Sequence, residues 1–249
     1  MRKQFALKVL EKYDVEYSKC SLCASLQCER PYWLSEAYQS NLALLDTGAA
    51  QRNLANLAAA FPVSRILGLK NLVDYGGGDG LLCRLLRDYG LNCFVHDKYA
   101  AASYAHGFAI PNFERPELLL AFEVLEHFES PRNDLDALFK LNPDAIFAST
   151  GIFSDQGPDW WYLTPETGQH VFFYSRQALR QIAESKGYDL LISSNYILFL
   201  KADSTSRLKR LLLRLTMQKI TLRLTGAILR LLPAKGVWSD FYALRPPKP

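Results

Sequence analysis

A run of glycines between two aspartates is the first place where this chain could do chemistry. Asp74-Tyr75-Gly76-Gly77-Gly78-Asp79-Gly80 follows the apolar Leu72-Val73 and precedes Leu81, Leu82, Leu85 and Leu86 at helical spacing. Glycines between a strand and a helix let bare main chain approach a ligand and aim N–H groups at it. Asp97 lies after the next apolar run, 21 residues beyond Gly76. A carboxylate there can accept bonds from both hydroxyls of a ribose, each contributing about 1.5–3 kcal/mol. Leu81 stands where a nicotinamide fingerprint wants a small residue, so the spacing is D-x-G-x-G-x-G instead. A tight turn beside a surface aspartate is the bland alternative. The succession strand, glycines, helix, strand and acid argues against it.

Glu123-Val124-Leu125-Glu126-His127 follows the uniformly apolar Leu118–Phe122. In a helical turn Glu123 would share a face with Glu126 or His127. Two carboxylates and an imidazole suit a divalent metal. The competing and favoured reading has Glu123 border a cofactor while His127 is a hydrogen-bonded structural residue. His127 and His170 are the best neutral bases for removing a hydroxyl proton. His170 ends Trp160-Trp161-Tyr162-Leu163-Thr164-Pro165-Glu166-Thr167-Gly168-Gln169, whose aromatic faces and polar groups suit a sugar ring. A lid whose tryptophans anchor in the core explains that loop equally well.

These residues need a scaffold that gathers them at one edge. Leu42, Leu44 and Leu45, then Leu54, Leu57 and Ala58, recur at helical spacing within 31–61. From Asn71 strands and helices alternate: strands at Leu72–Tyr75, Asn92–His96, Leu118–Phe122 and Ala145–Thr150, and helices near 81–89, 131–140 and 175–186. Tyr188–Ser193 and Tyr196–Lys201 read as an antiparallel pair. The pattern predicts an α/β fold, a doubly wound, Rossmann-like and mostly parallel sheet with one antiparallel strand, for which the fold class implies seven strands in all. An N-terminal helical cap and a C-terminal helical extension flank it. Expected boundaries are 1–67 for a degenerate cysteine segment and cap, 68–202 for the core and 203–249 for a basic extension.

Residues 68–201 resemble the class I S-adenosylmethionine-dependent methyltransferases through VDYGGGDG, the acid in VHDKYA, and AFEVLEHFESP. The resemblance implies that Gly76, Gly77 and Gly78, opened by Asp74, pass along the methionine part of the cofactor. It implies also that Asp97 holds the ribose and that Phe122 and Glu123 border the site. PYWLSEAY, LLDTGAAQRN and DWWYLTPETGQHVFFYS look like one bacterial group within that superfamily, linked to surface-sugar pathways. The E-x-x-E-H pattern is shared with metal-assisted O-methyltransferases, hence the metal set Glu123, Glu126, His127 and His170. The acid such enzymes place near adenine has no counterpart in Gly107–Glu114. The expected function is O-methylation of a sugar hydroxyl on a small-molecule acceptor. Methylation of an amine or an RNA 2′-hydroxyl, or an inactive cofactor-binding module, are the alternatives.

The chain has 249 residues, 49% hydrophobic and 22% charged, enough for a sizeable core and too apolar for a disordered chain. No apolar run is long enough to span a bilayer and no signal sequence is read, so a cytoplasmic protein is expected. Cys20, Cys23 and Cys28 look like a degenerate zinc ribbon, with free thiols as the favoured alternative. Residues 201–249 carry eleven Lys/Arg against two acids, leaving 18 bases and 23 acids elsewhere. The basic, leucine-rich stretch 207–232 is expected to pack on its own domain or a second subunit, with peripheral membrane contact as the alternative. No nucleic-acid motif accompanies it, and the oligomeric state is left open.

Overall fold

A computed structural model describes residues 1–39 and 46–246. The helical reading at Leu42, Leu44 and Leu45 lies outside these residues. Strands β1 (Arg2–Val9), β2 (Tyr13–Lys19) and β3 (Leu26–Cys28) form an antiparallel meander. The reading of the N-terminus as a degenerate cysteine segment and helical cap does not include these strands. The signal was a period of two: Phe5, Leu7 and Val9, then Tyr13, Val15 and Tyr17, turn one face inward. Cys28 is buried in that face, which pushes its thiol up to about 12, while Cys20 and Cys23 sit half-buried in the turn before β3.

Helix α1 (Leu34–Ala37) is a single turn, and α2 (Ala49–Leu67) ends at Gly68 in the left-handed conformation. The alternating units follow: β4 (Asn71–Tyr75), α3 (Leu81–Asp88), β5 (Asn92–His96), β6 (Leu118–Phe122), α4 (Pro131–Lys140) and β7 (Ala145–Ser149). A two-residue strand β8 (Phe172–Phe173), α5 (Arg176–Lys186), β9 (Tyr188–Ser193) and β10 (Tyr196–Lys201) complete the core. The main sheet has the order β5-β4-β6-β7-β10-β9, with β4 to β7 parallel and β10 antiparallel to both neighbours. β6 and β7 are buried along their whole length, as strands covered on both faces must be.

The sheet holds six strands where seven were expected. After β5 the chain runs irregularly from Lys98 to Pro116. Gly107, Pro111 and Pro116 interrupt it, and no alternating apolar run survives to pair. The edge is satisfied locally instead, where Val95 N–H donates to the Phe108 carbonyl at 2.9 Å.

Helices α2 and α3 cover one face of the sheet and α4 and α5 the other. A third layer lies over α2 and α3: α6 (Arg207–Thr216), α7 (Lys219–Leu231) and α8 (Lys235–Leu244). Leu213, Met217 and Leu229 join the core on the α2 side. α8 is locked to α3 by Asp240, which accepts from Arg84 at 2.7 Å and from Arg87 at 2.7 and 2.6 Å. The basic extension therefore packs on its own domain through its inward residues. Burial alone would raise the Asp240 pKa, yet the bonds from Arg87 and Arg84 hold it below the usual range.

Asp240→Ala would leave two guanidinium groups without their shared anion and should destabilise the fold by about 3 kcal/mol in denaturant titrations. Because the folded pKa is depressed, this stabilisation is present above the unfolded carboxylate pKa. It fades as pH falls through the folded value. An unchanged unfolding midpoint at neutral pH would contradict the assignment.

Candidate active site

The strand order reverses at β4, whose successors lie on opposite sides of it, β5 on one and β6 on the other. Crevices of doubly wound sheets open at such a point, beyond the carboxyl ends of the strands. Here the loops leaving β4 and β6 touch. A Cβ at Gly76, whose φ is +68°, would sit 2.7 Å from Val124 Cγ2. At Gly77 it would meet Asp74 Oδ2 at 2.5 Å and Val95 Cγ2 at 2.8 Å. Gly78 faces open space. Main chain without side chains thus forms the floor of the crevice.

Asp97 is tied to this floor. Its Oδ2 accepts from Gly78 N–H at 2.9 Å, and its Oδ1 from Tyr99 and Ala100 N–H at 2.7 and 2.8 Å. A cavity of about 190 Å³ opens beside it, lined by Gly78, His96, Ala100, Ala101, Ala102 and Ala109 among others. Asp74 lies fully buried beneath the glycines with Oδ2 unpartnered. Burial raises its pKa to about 7, against the Cys83 backbone N–H, and the Asp97 charge adds to the rise. Phe122 packs edge-on against Phe147 and Tyr196 at the end of β6.

The second cluster begins where β6 ends. Glu123, at φ +54°, turns back so that its N–H donates to the Ser149 carbonyl while Ser149 Oγ donates to its Oε1 at 2.6 Å. The 3₁₀ turn Leu125–His127 then carries Glu126 into the interior. Tyr162 is the hub: its hydroxyl lies 2.5 Å from Glu126 Oε1, 3.0 Å from Glu123 Oε2 and 3.4 Å from Thr150 Oγ1. One phenolic proton cannot satisfy two charged carboxylates. Burial and then the nearby Glu123 charge push Glu126 well above the usual carboxylate range, so it holds its proton. Its Oε2 has no partner.

Both predicted histidines reach this hub. Glu126, His127 and His170 offer ligand atoms within 4.8 Å of one another. The imidazoles meet edge to face with centroids 4.9 Å apart. Burial, reinforced by His170, lowers His127 to about 3, and burial also lowers His170, so both are neutral at pH 7. Their free valences differ. His127 Nδ1 lies 2.7 Å from the Tyr38 hydroxyl, and the ring also bonds the Gln169 backbone. His170 Nδ1–H donates to the Tyr162 carbonyl at 2.7 Å, leaving the Nε2 lone pair free and 4.0 Å from Glu126 Oε1.

The loop that delivers Tyr162 and His170 is fixed by the N-terminal sheet. Leu10 N–H donates to the Pro165 carbonyl, Trp33 Nε1 to Gly168 and Gln169 Nε2 to Ala37. β8, just past His170, pairs with β3. Of the tryptophans in the loop, Trp160 packs inward against Phe153, Tyr162 and Phe173. Trp161 is 73% exposed, so the lid reading and the acceptor-face reading each fit one of the pair.

Sequence reasoning singled out neither Tyr38 nor Gly151, nor Arg52. Gly151 is where Tyr162 enters, since a Cβ there would meet its ring at 2.2 Å. Arg52, on α2, pairs with Asp46 at 2.6 Å and its charge is felt by His170. No local spacing announces the Tyr38–His127 contact, whose partners lie 89 residues apart.

The site is thus that of a doubly wound α/β protein with a crevice at the carboxyl ends of its strands and two neutral histidines beyond β6. The methyltransferase-domain family matches residues 34–192, well over half of the chain, and the chain belongs to that family. No curated protein matches it in sequence. Among solved structures it is similar to the magnesium protoporphyrin IX methyltransferase of Synechocystis PCC 6803 crystallised with SAH. Identity is 14% and the TM-score 0.47, over 70% of this chain and 98% of that one. An O-methyltransferase of neocarzinostatin biosynthesis is 19% identical with a TM-score of 0.42, over 55% and 50% of the two chains. The methyltransferase domain of bacterial CtHen1-C gives 16% and 0.45, over 60% and 98%.

Glu126→Gln tests the protonation state. A buried carboxyl with a raised folded pKa stabilises least at high pH, because stability falls as pH climbs from the unfolded toward the folded value. The variant should therefore gain relative to the parent as pH rises above the ordinary glutamate value of about 4.3 in denaturant midpoints. A difference that does not change with pH would show that Glu126 is charged in the fold.

Proposed function

We propose that this protein is an S-adenosylmethionine-dependent methyltransferase acting on a hydroxyl of a small polar acceptor, a sugar or sugar-containing molecule. The observation that carries the reading is the side-chain-free floor at Gly76–Gly78, bonded to Asp97 beside an alanine-lined cavity. When bound, the cofactor supplies a methyl group already activated on a sulfonium, so pose accounts for much of the rate. Gly76 to Gly78 would admit its amino-acid portion closely. Asp97 Oδ2, with a single backbone bond, retains capacity to accept a ribose hydroxyl. Ala100, Ala101 and Ala102 leave room beside it for a flat base.

On the acceptor side His170 is the better base. Its Nδ1 is fixed by the Tyr162 carbonyl and its Nε2 can take a hydroxyl proton, whereas Tyr38 occupies His127 Nδ1. Arg52 and the exposed face of Trp161 suit a polar ring with hydroxyl groups. The sugar class rests on these two side chains and on the resemblance in sequence.

A second reading is favoured by the convergence of Glu126, His127 and His170. Neutral imidazoles and an unpartnered carboxyl oxygen suit a divalent cation, which would polarise the acceptor hydroxyl. Glu123 could join only by releasing Ser149 or Tyr162, and His127 Nδ1 only by releasing Tyr38. Equilibrium dialysis with Mn²⁺ should then give one ion per chain, lost in His170→Ala. An absence of binding removes the metal reading and leaves the base.

Calorimetry with S-adenosylhomocysteine tests the cofactor assignment. Asp97→Asn should weaken binding at least about tenfold, the loss of one charge-assisted bond. Unchanged affinity would remove the ribose role of Asp97.

A further inference from the structure

The outer helical layer is apolar on the side that faces away from the protein. On α6, Leu208, Leu211, Leu212 and Leu215 recur at three- and four-residue steps and are 40–67% exposed. Their opposite side, Leu213 and Thr216, is buried. α7 repeats the design: Ile220, Leu224, Ile228 and Leu231 are exposed, Leu231 to 85%, while Leu229 points inward. On α8, Trp238, Phe241 and Tyr242 are more than half exposed around the buried Asp240. α6 and α7 touch one another and both pack on α2, and α8 packs on α3. Globular chains rarely leave so many large apolar side chains uncovered together.

Cations border these stripes. Lys219, Arg223 and Arg230, at steps of four and seven, run along one flank of α7, and Arg207 and Arg214 along one flank of α6. The layer's ion pairs, Arg210–Asp189 and Asp240 with Arg84 and Arg87, all point inward. Apart from Asp240 the described part of 203–246 has a single acid, Asp203. No helix among the described residues is long and apolar enough to cross a membrane.

We propose that α6, α7 and α8 form a docking face for the surface of an anionic lipid bilayer, lying in its interface rather than spanning it. Leucine and isoleucine would enter the acyl boundary, Trp238 and Tyr242 would sit at headgroup depth, and the flanking arginines would meet lipid phosphates. Charge complementarity selects this occupant. A second copy meeting the first through the same face would bring cationic flanks together, which costs association.

The test uses the full chain and sedimentation with two kinds of vesicle, without any cofactor. The chain should pellet with phosphatidylcholine–phosphatidylglycerol vesicles and stay in solution with phosphatidylcholine alone, more so as salt rises. Arg223→Gln should weaken partitioning about fivefold. Leu224→Glu with Leu231→Glu, both on exposed positions, should abolish it while leaving the thermal midpoint unchanged. Failure of the parent chain to pellet with anionic vesicles overturns the proposal. So does a stable dimer that the same double substitution dissociates, because the face would then already be covered.

Discussion

The loop leaving β4 approaches the Val124 side chain beyond β6, and the side chains of Asp74 and Val95, so closely that Gly76 and Gly77 have no room for side chains of their own. Gly76 lies against Val124, and Gly77 lies against Asp74 and Val95. This contact between the ends of β4 and β6 sets where everything else can go. It closes the bottom of the crevice, leaves Gly78 facing open space, and fixes Asp97 through Gly78 N–H. It also directs the chain after β6 into the strained turn at Glu123 and so delivers Glu126 inward. Asp74 bears the cost: a carboxyl group buried beneath the glycines with one oxygen unpartnered.

The interior carboxyl of Glu126 is the second constraint, and it explains the N-terminal sheet. A buried acid with one phenol as its main partner needs that phenol held in register. Tyr162 comes from a long loop that would not order itself. The meander β1–β3 supplies the order by pairing with β8 and by bonds from Leu10, Trp33 and Gln169. The small antiparallel sheet is therefore a brace for Tyr162 and His170, rather than an appended module.

The parts legible in the sequence were those written locally. The strand–glycine–helix unit at 71–88, the uniformly apolar β6 and the hairpin at 188–201 all carry their own periodicity or turn signals. His127 and His170 were named together from residue type, and they do meet. The meander was missed because its three cysteines drew attention from the alternation in Phe5, Leu7 and Val9. The seventh strand was expected from the fold class although 98–116 has no pattern to form one. Tyr38 escaped because its partner lies 89 residues away. Local rules cannot see a contact whose other half is encoded elsewhere.

The C-terminal layer shows the same limit from the other direction. Its helical repeats were readable, but the sequence could not decide between packing and exposure, because leucines occur on both sides of α6 and α7. The structure separates them: one side is fixed by Leu213, Met217, Leu229 and the Asp240 clamp, and the other is uncovered. The two jobs are not independent of the crevice. Leu244, near the end of α8, lies against Gly107 in the irregular segment that follows β5. That segment also contributes Ala100, Ala101, Ala102 and Ala109 to the cavity beside Asp97. A strand in that place would have closed the sheet edge; the irregular chain instead joins the outer layer to the wall of the crevice.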